Sequence, residues 1–128
     1  MLLIETRIGP SPVHGIGLFA AHTVARGTPV WRFTPPFDLE LPPSSLDALT
    51  AAQRDRMLHY GYLDPRLGTF ILCCDDARFV NHSATPNLEA DFTDDPHGVD
   101  RAARDIAAGE ELTADYRAVE GHAPGALR

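Results

Sequence analysis

Cysteine is scarce in this chain: two of 128 residues, the adjacent pair Cys73 and Cys74. Neighbouring side chains in a strand leave on opposite faces, so these sulfurs are poorly placed to bond each other. Two thiolates alone do not make a zinc site, and buried thiols are the expected outcome. Long apolar runs are missing too. A membrane-crossing helix needs roughly 18 or more apolar residues in a row, and no such run occurs. The apolar start, Leu2 to Ile4, is broken by Glu5 and Arg7, far short of a signal-peptide core. A cytoplasmic protein without a membrane partner is expected. Positive charge is also short, with 11 basic against 18 acidic side chains and a net charge of −7. That balance argues against direct nucleic-acid binding, which needs clustered basic residues. The same field would attract a Lys-rich peptide, although the acids serve solubility equally well.

What is present points to one small, mainly β domain. A hydrophobic share of 44% fits a globular chain, and 10 Gly with 11 Pro imply many turns between short strands. Ile4–Ile8 reads as a first strand, followed by a turn at Gly9–Pro12. His14-Gly15-Ile16-Gly17 is a flexible loop leading into Leu18-Phe19-Ala20. Val30–Phe33 is rich in residues that suit a pleated surface. Pro35, Pro36, Pro42 and Pro43 bracket an extended connection. One helix follows: Thr50 and Gln53 have capping-box form, Met57 and Leu58 continue an apolar stripe, and Gly61 is the stop. Thr69–Cys74, Leu88–Phe92 and Val99–Arg104 read as strands. Arg78–Asn87 reads as a loop, Ala107–Gly109 as a tight turn, and Glu110–Tyr116 as the last element.

Two reactive readings fail on spacing. Ser83, His82 and Asp75 or Asp76 do not make a hydrolase triad, since adjacent residues rarely aim at each other and no nucleophile elbow exists. His82, Cys73 and Asp76 lack metal-ligand spacing, so no metal is expected.

Three segments do carry a pattern. They are His14-Gly15-Ile16-Gly17-Leu18-Phe19-Ala20, Arg78-Phe79-Val80-Asn81-His82-Ser83-Ala84-Thr85-Pro86-Asn87, and Ala103-Arg104-Asp105-Ile106-Ala107-Ala108-Gly109-Glu110-Glu111-Leu112-Thr113-Ala114-Asp115-Tyr116. Read singly, the first is equally a hairpin turn and the second a polar turn satisfying its own backbone. In this order they resemble the SET-domain family, whose members include protein-lysine N-methyltransferases using S-adenosylmethionine. The resemblance implies a SET fold over residues 1–120, with small sheets, one short helix and a C-terminal pseudoknot. It implies a cofactor site at His14, Gly15, Ile16, Gly17, Arg78, Phe79, Asn81, His82 and Tyr116, with Tyr116 catalytic. Pro86 and Asn87 would then be structural. The substrate would be a protein or peptide with an exposed lysine. A catalytically inactive SET-fold interaction module is the alternative.

The pattern departs from the family in two places. Position 114 is Ala where many relatives carry Phe or Tyr, which opens the number of methyls added. Tyr60 and Tyr62 would wall the substrate channel with Ala114, or else simply fill the core. No cysteine follows Tyr116, so a zinc-binding C-terminal lid is not expected, and the tail 121–128 should be frayed. No flanking module is expected to choose the substrate. Trp31, Phe33, Phe37 and the nearby prolines are either the face of a homodimer or part of the chain's own core.

Overall fold

Ten short strands, one α-helix and two 3-10 turns make up residues 1–117, the part that the computed structural model describes. The domain end at residue 120 and the frayed tail from Gly121 lie outside the described residues. Strands β1 (Thr6–Pro10) and β2 (Ile16–Ala20) form an antiparallel hairpin. A second sheet runs in the order β3–β9–β8, from β3 (Pro29–Arg32), β9 (Val99–Ala102) and β8 (Leu88–Asp91). A third runs β4–β6–β5, from β4 (Leu39–Leu41), β6 (Thr69–Leu72) and β5 (Gly61–Asp64). The last pair is parallel: β7 (Asn81–His82) against β10 (Thr113–Ala114).

The helix α1 (Ala51–Tyr60) starts where its cap predicts. Thr50 Oγ1 accepts from the Gln53 amide at 3.2 Å, and Gln53 Oε1 accepts from the Thr50 amide at 3.0 Å. Its apolar stripe is weaker than expected, because Met57 and Leu58 are only partly covered and no helix residue is buried. Gly61 ends the helix in an extended conformation, not a left-handed one. Glycine is required there for closeness: a Cβ would sit 2.3 Å from the Phe70 ring and 2.6 Å from the Ile71 carbonyl. Two strands escaped sequence reading. β4 is a three-residue edge inside the Pro-bracketed connection, and β5 begins at the helix stop itself. Likewise the Arg78–Asn87 loop contains the end of a 3-10 turn (Asp76–Phe79), capped by Asp75, and then β7.

Leu18, Ala20, Val24, Val30, Leu88, Ala102, Ile106 and Leu112 form the main core, with Phe79 and Val80 packed against it. Cys73 is buried and Cys74 exposed, as opposite strand faces require. Trp31 is buried, and Phe33 stacks on His97 at 4.1 Å between ring centroids, so both pack within this chain. Of those three aromatics only Phe37, 63% exposed, faces solvent. Among the described residues no helix is long and apolar enough to cross a membrane.

The C-terminal segment is what ties the sheets together. Gly109 and Leu112 donate their amides to the Ala20 and Leu18 carbonyls at 2.7 and 2.8 Å, pinning the segment to β2. One residue later it pairs with β7 on its other side. Asn87, fully buried, clamps the crossing: Nδ2 donates to the Glu111 carbonyl at 2.7 Å, and Oδ1 accepts from the Thr113 amide at 2.8 Å. Replacing Asn87 with Ala should therefore destabilise the fold by about 2–3 kcal/mol, since buried backbone groups lose their partners. Urea denaturation measures it; a loss below about 0.5 kcal/mol, the ordinary scatter of surface changes, would show the clamp to be dispensable.

Candidate active site

Asn81 is the first organising side chain. It is 3% exposed, and its Nδ2 points at the loop before β2. His14 and Ile16 carbonyls stand 3.0 and 3.2 Å away, Ser11 Oγ 3.2 Å and Glu111 Oε2 2.9 Å. Four acceptors surround two hydrogens, so the bonds are shared, and a carboxamide suits the place because it donates twice. Glu111 also accepts from the Ser11 hydroxyl at 2.9 Å, while Ser11 Oγ accepts from the Val13 and His14 amides. Gly17 leaves room for this arrangement, since a Cβ would lie 2.6 Å from Glu111 Oε2 and push that carboxylate off its partners. Gly15 takes φ +47°, the left-handed region, with open space on its Cβ side. Ser11 and Glu111 are site residues that sequence reading passed over. A Ser in a Pro-flanked turn and a Glu in a Glu-Glu pair give no local signal.

Tyr116 is the second. Its ring is 8% exposed, and its hydroxyl donates to the Val80 carbonyl. Its amide donates to His82 Nδ1 at 3.2 Å, and the two rings meet edge to face at 5.5 Å. Asp115 lies 3.7 Å from the same nitrogen, but Nδ1 cannot both accept from Tyr116 and carry a proton. The shorter contact makes Nδ1 the acceptor for the Tyr116 amide.

Beside Tyr116 lies a cavity of about 90 Å³ walled mainly by Val30, Trp31, Tyr60, Tyr62, Val80, Leu88, Phe92, Ala114 and Tyr116. Arg78 closes one side: its guanidinium sits 4.9 Å from the Tyr60 ring centroid and donates to the Cys73 carbonyl at 3.1 Å. The structure thus brings Tyr60, Tyr62, Arg78, Ala114 and Tyr116 to one cavity. His14, Gly15, Ile16 and Gly17 do not line it; they belong to the Asn81 side. The β7–β10 pair joins the two halves, with Asn81 opposite Thr113 and His82 opposite Ala114. Phe79 reaches the cavity side through an edge-to-face contact with Tyr60 at 6.4 Å.

Two carboxylates show contrasting electrostatics. Arg104's guanidinium, with the Ala107 amide and Asn87 adding, holds Glu110 down at about 2 against the effect of burial, which suits a structural clasp. Burial pushes Asp100, in the cavity wall, up to about 7, with the Met1 ammonium working weakly against it. Among the described residues no group of three or more His, Cys, Asp or Glu is placed to hold a metal ion.

Comparison with known proteins agrees with this geometry. The family model of the SET domain matches residues 15–117. Among solved structures, a Plasmodium falciparum protein put forward as a histone methyltransferase is similar in fold. The TM-score is 0.61, over 90% of this chain and 95% of that one, at 17% identity.

Proposed function

The chain belongs to the SET-domain family, and on that premise we propose that it transfers a methyl group from S-adenosylmethionine to a lysine side chain of a protein. The observation that carries the reading is Tyr116. It stands in the wall of an aromatic-lined cavity while its backbone is bonded to His82, beside the Asn81 loop node. A loop for one ligand and a channel for another meet at that residue.

The residues fit the cofactor's chemistry. The loop presents backbone rather than side chains at Gly15 and Gly17, with open space beside Gly15. His14, Gly15, Ile16, Gly17, Asn81 and His82 would hold the amino-acid and adenine ends, with Arg78, Phe79 and Tyr116 completing the site. When bound, S-adenosylmethionine supplies an electrophilic methyl group. The protein's own part is alignment and desolvation. Only a neutral amine has a lone pair to attack, and free lysine has a pKa of about 10.4. The apolar walls of Tyr60, Tyr62, Val80 and Leu88 favour the neutral form. Tyr116, its hydroxyl hydrogen directed to Val80, gives a fixed oxygen against which the reacting carbon is oriented.

The acceptor lies outside these 128 residues. All 11 basic residues other than histidine are arginine, so the 128 residues contain no lysine to methylate. One observation favours the second reading, an inactive interaction module: Ala114 leaves the cavity wall without an aromatic group at that position. Calorimetry with S-adenosylmethionine, followed by labelled methyl transfer to a proteome extract, separates the two. Binding with label on lysine of extract proteins is expected. Absence of cofactor binding by the folded protein would overturn the methyltransferase reading.

A further inference from the structure

Besides Cys73 and three tyrosines, the cavity wall holds Arg78, His97 and Asp100, and the first two of these three are already satisfied. Arg78 is held by the Cys73 and Asp75 carbonyls. His97 is stacked on Phe33, with Nε2 3.1 Å from Glu40 and Nδ1 3.5 Å from Asp95. Asp100 is different. It sits on β9, opposite Trp31 of β3 and Ala90 of β8. Its neighbour Arg101 leaves on the other strand face and pairs with Asp91 at 2.9 Å. Among the described residues the Asp100 carboxylate accepts no hydrogen bond and meets no cation within ion-pair distance.

A second group in the same wall is unmet. Trp31, 5% exposed, has a buried Nε1 without a hydrogen-bond partner. Trp31 Nε1 is a donor that burial would normally pair, whereas the Asp100 carboxylate is only partly covered and can be met by a group entering the cavity. The carboxylate selects for a cation. The rings of Trp31 and Tyr62 in the same wall add faces that attract one, while Phe92 and Tyr60 already carry Arg66 and Arg78 over theirs. A compact primary ammonium on an alkyl stem matches both the narrow space and the apolar walls.

We propose that Asp100 binds the ammonium group of the incoming lysine in this cavity and takes its proton before methyl transfer. This rests on reading the cavity as the lysine channel. The proton passes from the ammonium nitrogen to an Asp100 oxygen, leaving a neutral amine and a neutral carboxylic acid. The freed lone pair could then attack the methyl carbon that bound S-adenosylmethionine would supply, with the electron pair of the broken carbon–sulfur bond going to sulfur. Burial has already brought Asp100 to about 7, where about half of it is ionised at neutral pH and the ionised form is a stronger base than an exposed carboxylate. The other titratable groups facing the cavity are Cys73, His97, Tyr60, Tyr62 and Tyr116. Burial, with Asp38 and Asp75 adding, pushes the Cys73 thiol well above its ordinary range, so it does not compete for the proton.

Trp31 is the only tryptophan, so its fluorescence reports this wall directly. The test titrates n-butylammonium chloride into the protein from pH 5 to 9, with 1-pentanol as the neutral control. Butylammonium should quench Trp31 saturably and bind more tightly as pH rises through about 7, where Asp100 ionises. Asp100→Asn should bind it about tenfold or more weakly, the scale of one lost charge-assisted contact. Without any ligand, the parent's fluorescence should show an inflection near pH 7. The inflection should vanish in Asp100→Asn and persist in His97→Gln. The folded state holds Asp100's proton more tightly than the unfolded chain does, so the parent loses stability as pH rises from about 4 to about 7. Asp100→Asn should accordingly melt higher than the parent at pH 8, with the gap closing towards pH 4. Equal butylammonium affinity in parent and variant, or affinity in the parent that is flat with pH, would overturn the proposal. Ammonium binding with these signatures supports it even if no lysine is ever methylated, and that second result would count against the methyltransferase reading alone.

Discussion

Tyr116→Phe should give a folded protein that still binds S-adenosylmethionine but transfers methyl groups about 100-fold more slowly. The ring stays, so its packing against His82 and its place in the cavity wall stay with it. What goes is the oxygen. With it goes the bond to Val80, worth about 1 kcal/mol of stability, which a denaturation curve should detect as a small shift. The loss of turnover should be far larger than that shift. A misplacement of the reacting atoms by about 1 Å can by itself cost about 100-fold. Single-turnover rates at saturating cofactor measure the effect apart from binding. Turnover equal to the parent's would remove the hydroxyl from the chemistry.

Asn81→Ala should act in two ways at once. The carboxamide holds the His14 and Ile16 carbonyls to β7, and it also meets Glu111. Its removal leaves the partly covered Glu111 carboxylate with the Ser11 hydroxyl and frees the loop that would carry the cofactor's amino-acid end. Loss of cofactor affinity by about 1–3 kcal/mol is expected, with a melting temperature also lowered. Asn81→Asp separates the contributions. It is the same size as Asn81→Ala is not, but it puts a second carboxylate against Glu111, so it should be at least as harmful. A folded Asn81→Ala protein with the parent's affinity would place Asn81 outside the cofactor site.

Some of this was legible in residue order. The capping box at Thr50 and Gln53 is a contact within one turn, so sequence carries all of it. The strands Thr69–Leu72 and Val99–Ala102 show in their β-branched and apolar residues, within a residue or two. The three motifs carried the family, because their order along the chain is itself the pattern. By contrast, β4 and β5 are short and mixed in composition, and each exists because β6 lies between them to pair with. Ser11 and Glu111 meet across 100 residues, and nothing local to either predicts the other.

Sequence alone therefore determined the family, the helix start and the identity of Asn81, His82 and Tyr116 as the residues to watch. These rest on motif order and on contacts within a few residues. Tertiary structure decided how those residues divide, with Asn81 facing the His14–Gly17 loop and Tyr116 facing the cavity across a single strand pair. It also decided which acid matters electrostatically. The sequence holds 18 acidic residues with nothing to rank them. Asp100 stands apart because strand alternation turns it inward and Arg101 outward, into an aromatic cavity wall where, among the described residues, it has no ion-pair partner. Burial and partners are set by which distant segments fold together, and a pKa follows from both.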